Sequence, residues 1–238
     1  MSELIAILLI TVGQLLGTNA APDQIAGELQ AAVETTAPMP LEDLAVTVTE
    51  ETTENGDPLG TWLVAFDFDE IFLEPVLVDE LEITVTGLTL AEDGTVRLGG
   101  IDFSGKFTAE SLTTALREKK DTLSDASVAL ARDGITLSGK YATWVGRVPF
   151  SVKGNLSVEN QTQLIFAIDK SSMIGIPIPG PVNRLVQHEV NPVYDLDAFV
   201  ERSKKDIQRA KDMLDYEFYL QVEEITPGDG HIIVTGNA

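Results

Sequence analysis

The chain has 238 residues, of which 44% are apolar and 23% charged; this is enough to bury a sizeable core and argues against wholesale disorder. Its 38 Asp and Glu against 16 Lys and Arg give a formal net charge of −22, and residues 1–100 hold 19 of the acids with Arg97 as their only base. Such a surface repels phosphate backbones and anionic headgroups, so nucleic acid is not expected as a partner and any lipid contact must rest on apolar burial. The absence of cysteine removes disulfides, thiolate catalysis and cysteine metal sites together.

The run from Leu4 to Leu16, LIAILLITVGQLL, has almost no polar face. As a helix it is about 20 Å long, short of the roughly 30 Å hydrocarbon core of a bilayer. Its length suits a signal peptide with TNA at 18–20 as cleavage site, yet Glu3 supplies an acidic start where a basic one is needed. The expectation is a retained helix, buried in the fold or resting on a membrane. Pro22 and Asp23 open a second helix with Ile25, Leu29, Ala32 and Val33 on one face, ending near Pro38 and Pro40. Residues 1–36 are therefore read as an apolar helix followed by an amphipathic one, and 37–238 as a single α+β domain.

From Leu44 the period changes to two. Val46 and Val48 alternate with Thr47 and Thr49, and Trp62, Val64, Phe66 and Phe68 alternate with Ala65, Asp67 and Asp69. Leu81, Ile83 and Val85 give a third strand, and 96–103 a fourth in which Gly99 and Gly100 suggest a bulge. Thr108 caps a helix from Ala109 to about Lys119. Asp133 and Gly134 mark a hairpin between Val128, Leu130 and Ile135, Leu137. Val148 to Val158 alternates strictly and Leu164, Phe166 and Ile168 alternate back, so an antiparallel meander is expected. Helix after sheet, twice over, hints at a loose duplication.

At 175–181 Gly175, Pro177, Pro179, Gly180 and Pro181 end the sheet signal. Val182, Leu185, Val186 and Val190 then form one apolar helical stripe, closed before Pro192. The stripe alone reads as a plug in the sheet core, with a lid over an apolar cavity as the alternative. A charged amphipathic helix over 196–214 and a hairpin about 227–230 finish the chain.

Motifs for chemistry are weak. GIDFSGKFT at 100–108 nearly matches a phosphate loop, but Phe107 stands where the magnesium hydroxyl belongs. Asp67, Asp69 and Glu70 read as the wet side of a strand rather than a cation site, and His188 and His231 have no metal or triad spacing. No catalytic residue, cofactor or metal ligand is therefore assigned, and the chain is not read as an enzyme.

In order, FTAESLTTAL at 107–116, GITLSGKY at 134–141, VPFSVKGNLSVEN at 148–160, IGIPIPGPVNRLVQHEVNPVYDL at 174–196 and the closing HIIVTGNA resemble the LmeA family of bacterial phospholipid-binding proteins. The apolar helix running into a second helix is similar to its cyanobacterial members in particular. The resemblance implies a noncatalytic lipid-binding domain of the cell envelope, soluble or peripherally attached. More remotely it implies the tubular lipid-binding proteins, in which a long twisted sheet wraps a helix. The chain departs from the family in its acidity and in the long charged helix at 196–214.

The expectation is thus an α+β fold with a long curved antiparallel sheet wrapped around or covered by helices, tubular-lipid-binding-like. Its apolar groove would take a phospholipid or fatty acyl chain, lined by Ile25, Leu29, Trp144, Ile176, Ile178, Val182, Leu185 and Val186. Peripheral membrane contact would run through Leu4 to Leu16, at the cell envelope or a membrane, with the cytoplasm as the other compartment. The alternative is a structural or protein-interaction module with a filled core and an acidic partner-binding face.

Overall fold

A computed structural model describes residues 21–36, 43–73, 76–92, 95–119, 123–143, 146–173, 176–177, 191, 193–196 and 220–237. The expected apolar helix at 4–16, the corner helix at 181–190 with His188, and the charged helix beyond 196 lie outside them. Helix α1 (Pro22–Thr36) begins with proline, whose missing N–H costs nothing in a first turn. Its Ile25, Leu29 and Val33 recur at i, i+4 and i+8 and are fully buried. The strands that follow are β1 (Ala45–Thr52), β2 (Pro58–Phe68), the small hairpin β3 (Ile71–Leu73) and β4 (Val76–Val78), then β5 (Glu80–Leu90), β6 (Val96–Arg97) and β7 (Gly100–Thr108).

Alternation along β5 buries Leu81, Ile83 and Val85, and the next buried residue is Leu88. The extra residue is a bulge, since Val64 faces Val85 whereas Trp62 faces Leu88. Gly87 makes it feasible, with φ +64° and its backbone pressed so close to Gly99 that a Cβ would lie 2.9 Å from the Gly99 nitrogen. The bulge expected at Gly99 and Gly100 is therefore on the facing strand, and those two glycines instead mark the break where β6 ends and β7 starts. The phosphate-loop near-match at 100–108 is β7 itself, with its backbone laddered to β5 on one side and to the chain's last strand on the other.

Helix α2 (Ala109–Lys119) separates this region from β8 (Leu123–Ala131), β9 (Gly134–Thr143), β10 (Gly146–Glu159), β11 (Gln163–Met173), the short β12 (Ile176–Pro177) and β13 (Tyr194–Asp195), and the final hairpin β14 (Gln221–Pro227) and β15 (His231–Asn237). The one long sheet expected becomes two open antiparallel sheets, ordered β1-β2-β5-β7-β15-β14 and β12-β11-β10-β9-β8. The division has a physical cause: the free edge of β7 is taken by β15, from the far end of the chain, while α2 carries the chain away to start β8. Register shifts interrupt five of the strand pairs, and each such bulge bends and twists its strand. The α+β class and the antiparallel sheets agree with the sequence; the described elements run α1 then β1-β2-β5-β7, α2 then β8-β9-β10-β11, and the helix that would close the expected second sheet-and-helix repeat lies outside them.

In each unit the helix lies against the first strand. In the second, the Arg117 Nε donates to the Ala126 carbonyl at 2.8 Å, and the Val128 N–H donates to Thr113 Oγ1 at 2.8 Å. The exposed edge of β8 is thereby occupied. The start of α2 is fixed from the junction of β4 and β5, for Asp79 accepts the Thr108 N–H (3.0 Å), the Thr108 hydroxyl (3.1 Å) and the hydroxyl of buried Ser111 (2.8 Å). Asp69, Glu70 and Asp67 are exposed, as the alternation implied.

Asp79→Ala leaves the buried Ser111 hydroxyl and the Thr108 N–H and hydroxyl without their anionic acceptor, and a loss of about 2–3 kcal/mol is expected in urea unfolding. The acid side of the stability curve has its own test. The ammonium groups of Lys140 and Lys153 donate to Asp125 and Asp133 at 2.6 Å each, and these bonds hold both carboxyls below their ordinary 3.8. A depressed carboxylate contributes stability that is full above its unfolded pKa and lost as pH falls through the folded one. Lys153→Met should therefore cost a small amount at pH 7, and the gap from wild type should close as the pH falls below 3.8.

Candidate apolar site

The first core gathers α1 and the apolar face of β1, β2, β5 and β7, with 16 buried apolar residues and seven half-buried ones packed on them. The second gathers the apolar face of β8 to β11, α2 and the C-terminal hairpin, and there 11 buried apolar residues have 11 half-buried neighbours. Among the described residues the second core is thus the one left open at its margin.

Strict alternation builds this face. Along β10, Phe150, Val152 and Gly154 are buried, then Leu156 and Val158 are only half-buried. Facing them on β11, Leu164 pairs with Val158, Phe166 with Leu156, and Ile168 with Gly154. Leu112 and Leu116 of α2 close one side, and the C-terminal hairpin brings Val222, Ile232 and Val234 to the same cluster. On the other side the chain at 191–196 runs beside β11. Asn191 imitates a strand residue there: its amide accepts the Phe166 N–H at 2.7 Å and donates to the Phe166 carbonyl at 3.0 Å. The Val193 N–H donates to Leu164, β13 pairs with Gln163 and Leu164, and the Gln163 amide donates to Asp195. Val193 and Leu196 are carried into the apolar cluster by these bonds.

The groove residues expected from sequence are distributed as follows. Ile25 and Leu29 sit side by side on α1 at 1% and 0% exposure, inside the first core. Ile176 is in β12, its backbone opposite Met173 in the second sheet. Trp144, Ile178, Val182, Leu185 and Val186 lie outside the described residues. Ile25 and Leu29 thus pack with the first sheet, whereas Ile176 pairs in the second. The half-buried Leu112, Leu116, Leu156, Val158 and Ile168 were visible as apolar faces of their own elements; only the sheet pairing shows that they share one surface.

The polar chemistry around the face is sparse. Among the described residues no three His, Asp or Glu side chains are placed to hold a metal ion, and no helix is long and apolar enough to cross a membrane. The imidazole of His231 lies over Gly228, at the turn of the last hairpin, with Nδ1 3.3 Å from the Asp229 carbonyl oxygen. The face is lined by apolar side chains, and among the described residues no nucleophile stands beside a base on it. Comparison with family models, with curated proteins and with solved structures gives no match for the chain.

Asn191→Ala removes both bonds to Phe166 and should free the strap at 191–196. Hydrogen exchange at the Phe166 amide is expected to rise at least tenfold, corresponding to about 1–2 kcal/mol, with the first sheet unchanged. Asn191→Asp should fall between, since it keeps the acceptor and loses the donor.

Proposed function

We propose that the protein is a noncatalytic binder of phospholipid or fatty acyl chains, held on the apolar face of the second sheet between α2 and the strap at 191–196. The observation that carries this reading is that, among the described residues, the second core has as many half-buried as buried apolar residues, against the more fully buried first core. An acyl chain laid on Leu156, Val158 and Ile168 would complete the burial that these side chains lack. At about 0.8 kcal/mol per buried CH₂, a chain of roughly 14 carbons gains on the order of 10 kcal/mol before ordering costs. No positive charge is required, which suits a chain of net charge −22. The repeated helix-and-meander unit also suits the tubular lipid-binding arrangement implied by the LmeA resemblance. In this reading the protein works at the cell envelope or on a membrane, in lipid maintenance, and requires no cofactor.

The second reading, a protein-interaction module, has one observation of its own. Asp67 stands directly opposite Glu82 on the outer face of the first sheet, with Asp102 exposed on the next strand but one. Like charges in facing positions are destabilising, and a cationic partner would relieve them.

Solvent extraction and mass spectrometry of the purified chain are expected to recover lipid, and a fluorescent fatty acid should bind. Leu156→Gln should weaken that binding about tenfold, whereas Asp67→Asn with Glu82→Gln should leave it unchanged. Clean protein that binds no acyl probe would overturn the lipid reading. Loss of a protein partner in the Asp67 and Glu82 variant alone would favour the interaction module.

A further inference from the structure

Among the described residues the asparagines are not equivalent. Asn155 donates to Asp169 at 2.8 Å, Asn191 is bonded twice to the Phe166 backbone, and Asn237 donates to Glu223 at 2.6 Å. Asn160 is followed by Gln161, whose side chain crowds its own amide nitrogen. Asn55 differs from all four. It is exposed, its side-chain amide has no hydrogen-bond partner among the described residues, and the next residue is Gly56.

The pair sits in the turn at 53–57 that joins β1 to β2, and Thr53 clasps that turn from one side. The Thr53 N–H and carbonyl and hydroxyl oxygens are all engaged: the Asp57 carbonyl accepts Thr53 N–H (2.8 Å), Thr53 O accepts Gly56 N–H (2.9 Å), and Thr53 Oγ1 accepts Asp57 N–H (3.1 Å) as mapped by the turn. Gly56 has φ +84°, a left-handed conformation that glycine adopts without strain, and a Cβ there would meet nothing within 4 Å. The Gly56 nitrogen is thus unhindered and adjacent to an electrophilic amide carbon. A single turn bond restrains it, at an exposed site where local opening costs little.

We propose that Asn55 and Gly56 form a self-modification site, at which the Asn55 amide converts to aspartate and isoaspartate. The Gly56 nitrogen, on losing its proton, bonds to the Asn55 side-chain carbonyl carbon. The bond from that carbon to the side-chain nitrogen breaks, ammonia leaves with the proton, and a cyclic imide remains. Water opens the imide at either carbonyl, so no oxidant, metal or cofactor enters. Two features set the rate. The Thr53 carbonyl holds the attacking N–H, and the carboxylates of exposed Glu54 and Asp57 disfavour a deprotonated nitrogen between them. The product adds one negative charge to the −22, and its iso form adds a methylene to the backbone of a turn that Thr53 holds closed. Glu51, just before that turn, accepts the Gly87 N–H at 3.0 Å, so loosening there reaches the bulge of β5. The site is independent of the lipid-binding reading and stands or falls apart from it.

Incubation of the folded full chain in mildly alkaline buffer, followed by peptide mass spectrometry over time, tests it. The peptide holding Asn55 should gain the mass of an amide-to-acid conversion and separate into aspartyl and isoaspartyl forms. Its rate should exceed that of the peptides holding Asn155, Asn160, Asn191 and Asn237 by about tenfold or more. Hydroxylamine, which attacks the imide, should cleave the chain between residues 55 and 56. Asn55→Ser should abolish both signals. Thr53→Ala removes the Asp57 acceptor and Glu54→Gln removes a repelling charge, so each should speed the conversion. In the aged chain, hydrogen exchange should rise at the Thr53, Asp57 and Gly87 amides and stay unchanged in the second sheet. Conversion at Asn55 no faster than at the other four, a mass gain without the iso form, absence of hydroxylamine cleavage, or slowing by Thr53→Ala would overturn the assignment.

Discussion

A single apolar face, shared between two cores, is the constraint on which the rest of the fold depends. One rung of the first sheet runs through Val46, Phe66, Ile83, Phe103, Gly236 and Val222 across six strands. The β1, β2 and β5 part of that face is covered by α1, and the β15 and β14 part is covered by the second sheet. Phe107 packs against both clusters and so marks the join. Burial on this scale is worth roughly 25 cal/mol per Å², and no single surface element could supply it for either unit alone. The C-terminal hairpin therefore belongs to the first sheet by its hydrogen bonds and to the second core by its side chains.

This double membership explains two local features that would otherwise be liabilities. Gly236 leaves a gap in the apolar rung, and the Phe103 ring closes it, so near that a Cβ at 236 would lie 2.6 Å from the ring edge. An aromatic ring laid across a neighbouring glycine is a known way for a sheet to keep register where one strand carries no side chain. Asp79 works at the other side of the join. It sits where β4 passes into β5 and holds the first turn of α2, so the helix that opens the second unit is oriented by the first.

Local signals in the sequence were sufficient wherever the cause was local. The start of α2 follows from the Thr108 hydroxyl, which accepts the Ser111 N–H, and the β10 and β11 strands follow from strict alternation. The bulge in β5 was not legible, because Gly87 reads as an ordinary strand interruption until its close approach to Gly99 is known. The hairpin β3 to β4 escaped for a related reason: Ile71 to Val78 is almost continuously apolar and shows no alternation. Pairing of β7 with β15 could not be read at all, since it joins segments more than a hundred residues apart and periodicity says nothing about partners. The candidate site followed the same rule. Its faces were written in Leu112, Leu116, Leu156 and Val158, but Asn191 acquires its role only because the chain returns beside Phe166.

The electrostatics set what such a surface can recognise. Lys140 and Lys153, on the outer face of the second sheet, are each engaged by a carboxylate of their own unit, so neither is a spare cation waiting for a headgroup. Under the proposed lipid-binding reading, the described part of the face between α2 and the strap would discriminate by shape and length. A ligand chosen in this way is distinguished by the tail it buries, at about 0.8 kcal/mol for each methylene, rather than by the head it leaves in water. Two chains differing by two methylenes would then differ by more than tenfold in affinity, while a change of headgroup would act only through repulsion from the acidic surface.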